Sequence, residues 1–303
     1  MKYSWEDTSH SFKARIIGKL LGDGSITQQK GRKPRFQYTH CDKDYEWNLY
    51  CYKKLKNYIP LNPPKYKKVY DSRLETGFST SYYTQSRTSD LITYLWKSWY
   101  PNLTKQIPFQ LLEEYLSTES LAWWYMDDGH LNQKNNNPQK IILSTESFTE
   151  NENKFLANLL LRKYSLAFKT DKQNRIILYD QFQIYYFLHL VHPYIHNSMF
   201  RKTINQFHIT FAVKSKRTTL YLSENIHLER PTLDINLALR KLDALIKEYK
   251  TGTFYLNYPN VPQQHFTRPY QVIITKENLE KLLFLKEVTE LTSSKLTELT
   301  FGI

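Results

Sequence analysis

One short pattern occurs twice in this chain, and the duplication constrains the fold more than any single residue does. IIGKLLGDG, Ile16 to Gly24, and LAWWYMDDG, Leu121 to Gly129, are both apolar runs closed by Asp-Gly, and Asp128 stands 105 positions after Asp23. The same succession follows each run. A short strand and a polar, basic turn lead to a second strand (Arg35 to His40; Lys140 to Thr145), then to an acidic helix start, DKDYEW or TENENKF, and an apolar-periodic helix. Acids in a first helical turn are favoured by the helix dipole, which supports these boundaries. KYKKVYDSRLETGFSTSYYTQS and LAFKTDKQNRIILYD each read as a strand–turn–strand pair. SDLITYLWKSWYP and QFQIYYFLHLVHPYI each read as an aromatic helix ending near a proline, and Lys105-Gln106-Ile107 and Lys202-Thr203-Ile204 close the two copies. Each half is therefore α-β-β-α-β-β-α.

The end of each apolar run poses a chemical question. Pro108 to Ser120 is helix-like, Ser117 to Ser120 supplies N-cap candidates with Thr118 or Ser120 the better ones, and Gly129 fits a helix C-cap. Asp127 and Asp128 then stand at a helix C-terminus, where an exposed acid is unfavourable by about 0.3–1 kcal/mol. A cation reverses that sign, because helix-end carbonyls and carboxylates are hard oxygen ligands of the kind Mg²⁺ takes. The alternative is a surface acid pair in an Asp-Gly turn. Recurrence of Asp-Gly at the same place in both halves argues against a chance turn. Two half-domains with matching acids imply a pseudo-two-fold molecule, and a DNA duplex has matching pseudo-symmetry.

Charge points the same way. With 42 Lys and Arg against 29 Asp and Glu, the chain carries a formal +13, which suits a polyanionic partner and nucleic acid first. An ordinary basic protein with Lys-rich, Tyr-rich usage is the other reading of that number. An apolar fraction of 41% over 303 residues is enough for a core. Cys41 and Cys51 by themselves make neither a disulfide framework nor a Cys-based zinc site, so a reducing compartment is expected. The chain has no apolar run of transmembrane length, and its start lacks the pattern of a signal peptide. GxxxxGK[ST], GxGxxG and HExxH are all missing, and the nine histidines are scattered and read as structural or surface residues.

IIGKLLGDG and LAWWYMDDG resemble the two namesake motifs of monomeric, double-motif LAGLIDADG homing endonucleases of the intron-encoded type. The resemblance runs from about Phe12 to Phe211 and is most specific from Glu114 through Ser147. It implies an α+β fold of two pseudo-symmetric αββαββα halves, with saddle-shaped antiparallel sheets joined by the two motif helices. It also implies metal binding at Asp23 and Asp128, one from each half, with Gly22 and Asp127 at the same helix ends. Asp127 occupies a position that is usually small in the family, and is expected to contribute packing or a backbone carbonyl rather than the principal ligand. Lys105 and Lys202 match the family's basic residue near each active centre, and also read as plain phosphate anchors. Gly18, Gly22 and Ala122 permit close helix packing, whereas Trp123 and Trp124 depart from the family's small residues and make the interface less symmetric. The expected cofactor is Mg²⁺, with Mn²⁺ as a substitute. The expected partner is a double-stranded DNA target met by a monomer, with no membrane, and group I intron RNA is the partner under a maturase reading. The expected place is intracellular: an organelle (chloroplast or mitochondrion) or a bacterial cytoplasm.

Recognition falls to the strands. In KPRFQYTHC, Lys33, Arg35, Gln37 and Thr39 alternate with Pro34, Phe36, Tyr38 and His40, so each set shares one face. Arg and Gln suit guanine and adenine edges in the major groove. Lys65, Lys67, Arg73, Gln85 and Arg87 are comparable candidates in the second strand pair, and Lys140, Lys169, Lys172, Asn174 and Arg175 in the other half. Any one of them is as readily a phosphate contact as a base reader.

The expected division is 1–112 for the first half, 113–212 for the second, and 213–303 for a mainly helical C-terminal extension. KSKRTT and NYPNVPQQHFTRPY read as connectors. TLDINLALRKLDALIKEYK reads as one amphipathic helix with Leu233, Leu237, Leu239, Leu242, Leu245 and Ile246 on one side. ENLEKLLFLKEVTELTSSKLTELT reads as two short helices broken at Thr-Ser-Ser, a helical hairpin or a faint helix-turn-helix. The leading functional expectation is a site-specific, metal-dependent double-strand DNA endonuclease that cuts a long asymmetric target by phosphodiester hydrolysis and promotes intron homing. An RNA maturase or a non-cleaving DNA-binding regulator of the same fold is the alternative. The acid pair favours cleavage, since binding alone does not need it.

Overall fold

A computed structural model describes residues 3–135, 137–204, 217–258 and 266–302. By contacts the chain divides into two compact units, Met1–Tyr179 with Leu190–Ile204, and Asp180–His189 with Asn205–Ile303. The first unit holds the duplication. Its elements are α1 (His10–Leu21), β1 (Ser25–Thr27), β2 (Arg35–Cys41), α2 (Tyr45–Leu55), β3 (Lys65–Tyr70), β4 (Phe78–Gln85), α3 (Asp90–Trp99), α4 (Phe109–Tyr115), α5 (Thr118–Asp128), β5 (Gly129–Lys134), β6 (Asn137–Leu143), α6 (Glu150–Tyr164), β7 (Lys169–Thr170) and β8 (Ile176–Leu178). The strands form two four-stranded antiparallel sheets with the same order, β1-β2-β4-β3 and β5-β6-β8-β7. The sequence repeat is thus a structural repeat.

Each motif run is helical for a local reason. In α1, Phe12, Ile16, Ile17, Leu20 and Leu21 are buried, and the Ser9 hydroxyl accepts the Phe12 N–H as an N-cap. In α5 every residue from Ser120 to Met126 is buried, so the helix is apolar all round and belongs to an interior. Its N-cap is Ser117, not the expected Thr118 or Ser120. Ser117 and Ser120 close a reciprocal capping box, because the chain is still extended at Ser117 (φ −117°, ψ 174°) and already helical one residue later. The helix-like stretch before it is accordingly two helices, α4 and α5, with a break at Leu116 (ψ 111°). Gly129 caps α5 in an extended rather than left-handed conformation (φ −83°, ψ 147°) and passes directly into β5. A Cβ at Gly129 would collide with the Tyr125 ring.

Register decides which sheet face is open. Ser25 pairs with Gln37, Thr27 with Arg35, Gln37 with Gln85, Thr39 with Tyr83, Lys65 with Tyr83 and Lys67 with Ser81, so these residues share one face. The opposite face carries Ile26, Phe36, Tyr38 and Thr84, all buried, with α2 packed behind. Burying each large apolar side chain of this kind contributes roughly 1.5–3 kcal/mol. In the second sheet Leu131, Ile141, Leu143, Ile176 and Leu178 take the core face, and His130, Asn132, Lys140 and Lys169 lie on the other. Ile142 and Ile177 share that second face and are themselves buried, so it is less polar than its counterpart.

The second unit contains the start of α7 (Gln181–Val191), then β9 (Arg217–Ser223), α8 (Pro231–Leu239), α9 (Leu242–Thr251), α10 (Phe254–Asn257), β10 (Thr267–Ile273), α11 (Lys276–Thr289) and α12 (Ser293–Phe301). It is largely helical as expected, with α11 and α12 broken where the Thr-Ser-Ser signal lies and Thr292 as N-cap. Two expectations need correction. The long amphipathic helix is two: Arg240 N–H and Lys241 N–H bond back three residues, to Leu237 and Ala238, and close α8 before α9 begins. Its buried stripe is Ile235, Ala238, Leu239, Leu242, Leu245 and Tyr249, while Leu233 and Leu237 are 44% and 46% exposed. The two presumed connectors run into β9 and β10, whose first residues they contain and which pair antiparallel over seven residues each. Their alternation was there to read, with Leu220 and Leu222 buried around exposed Tyr221. Pro269 disguised β10, since proline is tolerated only at such an edge. Lys214 to Lys216, Pro259 to His265 and the end of the second repeat, Asn205 to Phe211, lie outside the described residues.

Candidate active site and nucleic-acid interface

The two motif helices pack against each other through glycine. A Cβ at Gly18 would fall 2.7 Å from the Trp123 Cβ and onto the Ser120 carbonyl oxygen; one at Gly22 would lie 2.5 Å from the Asp127 Cβ. Only hydrogen at these two positions allows the backbones so close. Trp123, which breaks the family's small-residue pattern, sits in this contact through its Cβ and turns its ring edge-on to Trp47 of α2 at 5.1 Å. Helix packing therefore brings the C-terminal ends of α1 and α5, with Asp23 and Asp128, to one place.

Asp127 sits inside that junction. Its carboxylate is 0% exposed and accepts from the Lys19 ammonium at 2.7 Å and the Trp47 indole N–H at 2.8 Å, both at Oδ1. Its Oδ2 accepts the backbone N–H of Asp23 at 3.2 Å. Burial works to raise its pKa, but the Lys19 ammonium holds it down to about 2. Lys19 is also fully buried; burial pulls its pKa down, and the groups around it, Asp127 first, together raise it above the ordinary value. Lys19 further stacks over Tyr38 (4.6 Å) and Trp47 (5.3 Å) and donates to His40 Nε2 at 2.8 Å. Burying two ions costs several kcal/mol each, which close geometry of this kind must offset. Asp23, His40 and Asp127 hold one donor atom each within 4.8 Å of one another, a spacing that would suit a metal ion. Lys19 already supplies the cation there, so this trio is a salt-bridge network and does not fit a metal as well.

Asp128 is in a different state. Burial first, then the charges of Asp23 and Asp127, push its carboxyl up to about 7. Among the described residues no hydrogen bond holds that carboxylate. Excess negative charge in a half-buried, oxygen-rich place is what a hard dication relieves, so the Asp23–Asp128 pair fits the implied metal. Lys105 donates to the Gly24 carbonyl at 3.0 Å, and burial lowers its pKa to about 8. Lys202 donates to three carbonyls at the end of α5: Met126 (2.6 Å), Tyr125 (3.2 Å) and Asp127 (3.2 Å). Burial lowers its pKa as well. Lys202 thus neutralises the end of α5, and Lys105 binds the turn just beyond the end of α1. The structure brings Asp23, Asp128, Gly22, Asp127, Lys105 and Lys202 together. Lys19, His40 and Trp47 were missed, and His40 had been set aside with the other histidines. The signal was a lysine inside IIGKLLG together with an acid at the second motif's small position.

The strand candidates divide by what already engages them. Arg35, Lys65 and Lys67 are exposed on the open face of the first sheet, and Gln37 bonds Gln85 across the strands at 2.9 Å. Arg87 is exposed beyond β4. Lys33 is exposed and 3.5 Å from Asp90, and Arg73 is clamped by two bonds to Asp71 in the β3–β4 turn. In the second half Lys140 and Lys169 lie on the corresponding face, and Lys172 is exposed in the β7–β8 turn. Asn174 is a left-handed turn residue (φ +60°) whose amide donates to the Phe148 carbonyl at 2.6 Å, and Arg175 is bound twice by Asp171.

Comparison with known proteins follows the same residues. A sequence profile of the LAGLIDADG DNA endonuclease family matches residues 13–188. Probable intron-encoded endonuclease 1 of Wickerhamomyces canadensis is 28% identical over 205 residues, 64% of this chain and 84% of the relative. Cytochrome b mRNA maturase bI2 of Debaryomyces hansenii is 32% identical over 197 residues, 61% of this chain and 70% of the relative. Among solved structures, the homing endonuclease I-WcaI bound to its DNA recognition sequence superposes with a TM-score of 0.55 at 26% identity, over 64% of this chain and 86% of that one.

Proposed function

Because the chain belongs to the LAGLIDADG DNA endonuclease family, we propose that it is a site-specific endonuclease that cuts both strands of a long DNA target and promotes homing of an intron. The observation that carries this reading is the meeting of Asp23 and Asp128 at the glycine-packed ends of α1 and α5, with one lysine beside each end. A protein that only bound DNA would gain nothing from burying an acid whose carboxyl is pushed up to about 7. Asp23 and Asp128 would hold a divalent cation, Mg²⁺ first and Mn²⁺ as substitute. When bound, such a cation activates water and stabilises charge on the phosphate and the leaving 3′ oxygen.

The chain's own residues bind and orient. Lys105 spends one of its three donors on Gly24 and has others for a phosphate oxygen. Lys202 spends its donors on three carbonyls and acts chiefly by its positive charge. The open face of β1, β2, β4 and β3 offers Arg35, Gln37, Gln85, Lys65 and Lys67 to a major groove, and Lys140 and Lys169 serve the other half-site. A monomer suffices, since each half supplies one acid and one sheet. No helix among the described residues is long and apolar enough to cross a membrane. An intron-bearing organelle or bacterial genome is the setting this reading implies.

The test is a plasmid carrying an intronless host-gene junction, incubated with the protein in Mg²⁺ or EDTA, with the ends mapped. A single Mg²⁺-dependent staggered cut supports the reading. Tight binding without a cut in any divalent ion overturns it. The similarity to a maturase favours a second reading, assistance to splicing of a group I intron, which a filter-binding assay with intron RNA decides.

A further inference from the structure

The duplication makes Asp23 and Asp128 equivalent in sequence, yet their surroundings differ. Asp23 is tied to a buried network: its N–H donates to Asp127 (3.2 Å), Asp127 is fixed by Lys19 and Trp47, and His40, whose Nε2 accepts from Lys19, packs 3.4 Å from the Asp23 Oδ2. The network reaches across both halves, since Lys19 and His40 come from the first and Asp127 from the second. The pseudo-two-fold counterparts are Trp124 for Lys19, Gly22 for Asp127 and Thr145 for His40. None of them can rebuild it around Asp128. Gly22 has no side chain, Trp124 carries no charge, and the Thr145 hydroxyl is spent on the Asn174 carbonyl at 3.1 Å. Among the described residues the Asp128 carboxylate has charge neighbours but no hydrogen-bonded clamp.

We propose that the Lys19–Asp127 pair, with His40, is a positioning group for Asp23 alone, so that the two halves of the centre are unequal and the two DNA strands are cut in a fixed order. This rests on the endonuclease reading. Packing specificity between two helices would be met at lower cost by apolar residues of the same volume. What an ion pair adds is direction. Asp127 presents one oxygen to Lys19 and Trp47 and the other to the Asp23 N–H, which sets the start of the turn that carries the acid.

The test variants are Lys19→Met with Asp127→Asn, which leaves neither ion buried alone, and separately His40→Gln, which keeps volume if the pair does not fold. Single-turnover cutting is followed with each strand of the target carrying its own end label. Mn²⁺ binding to the protein on a short target duplex is titrated by electron paramagnetic resonance, with the free duplex subtracted. One strand, the same in both variants, should slow by roughly 10²-fold while the other holds its rate, and nicked product should accumulate. Mn²⁺ affinity should fall by about tenfold or more, with DNA affinity in EDTA unchanged. Equal slowing of both strands would overturn the inference, and so would an Mn²⁺ titration that is the same for variant and wild type. If the wild type cuts neither strand, the endonuclease reading fails, and the Mn²⁺ titration still decides whether the network serves Asp23.

Discussion

At the residue scale the two acids carry the same consequence for activity, and Asp128 carries an opposite one for stability. Asp128→Asn and Asp23→Asn are each expected to abolish double-strand cutting while leaving binding largely intact, which a gel-shift and a plasmid-cleavage assay on the same preparation check. Asp128→Asn should also stabilise the metal-free protein at alkaline pH. The folded protein holds the Asp128 carboxyl up to about 7 from an ordinary 3.8, chiefly by burial, so it keeps a proton that the unfolded chain releases. The unfolded state binds fewer protons across that window, and stability falls as pH rises from about 4 to about 7. Melting in EDTA at pH 5 and pH 8 should show a drop that shrinks by several degrees in the variant, at about 2–4 °C per kcal/mol for a domain of this size. An identical drop in both proteins would mean that Asp128 ionises freely. The matched places of Asp23 and Asp128 at the two motif ends were legible in the sequence because Asp-Gly recurred in register. The Lys19 network was not, because a lysine in an apolar run says nothing of its partner until the two helices meet.

Glycine and register govern the elements. Gly18→Ala would drive a methyl into the Ser120 carbonyl and the Trp123 Cβ, which are parts of a helix that cannot give locally. Overpacking of that kind costs about 1–3 kcal/mol, and denaturant melts should show it without a change in slope. The open face of the first sheet makes a second prediction. Arg35→Ala or Gln37→Ala should relax base preference at one or two adjacent target positions, by ~1–3 kcal/mol of discrimination, in a cleavage screen of single-base target variants. Uniform weakening across all targets would make the residue a phosphate contact. Strand alternation made that face readable in KPRFQYTHC. It could not reveal that the Asn174 amide is spent on the Phe148 carbonyl or that Arg175 is held by Asp171, since neither partner shares a face by periodicity. At the other end of the chain, β9 and β10 stayed hidden because each is marginal alone and gains its pairing from a segment more than forty residues away.

For the whole molecule, charge and duplication together set the mode of binding. The C-terminal extension, 213–303, holds thirteen Lys and Arg against ten Asp and Glu, so most of the formal +13 lies elsewhere in the chain. Target affinity should therefore fall steeply with salt, by about 10³-fold or more between 50 and 200 mM if six or more phosphates are neutralised, as fluorescence anisotropy can measure. Neutralising lysines in the extension should leave that slope unchanged. The sequence alone determined the doubled architecture, the acid at each motif end and the basic character, because each is a repeat, a period or a sum that needs no partner in space. Tertiary structure decided which acid's turn is tied to a buried salt bridge and which acid is half-buried without one, why Gly18 and Gly22 cannot be replaced, and which polar strand residues are already spent. Those properties depend on atoms brought together from positions more than a hundred residues apart, and only packing sets that distance.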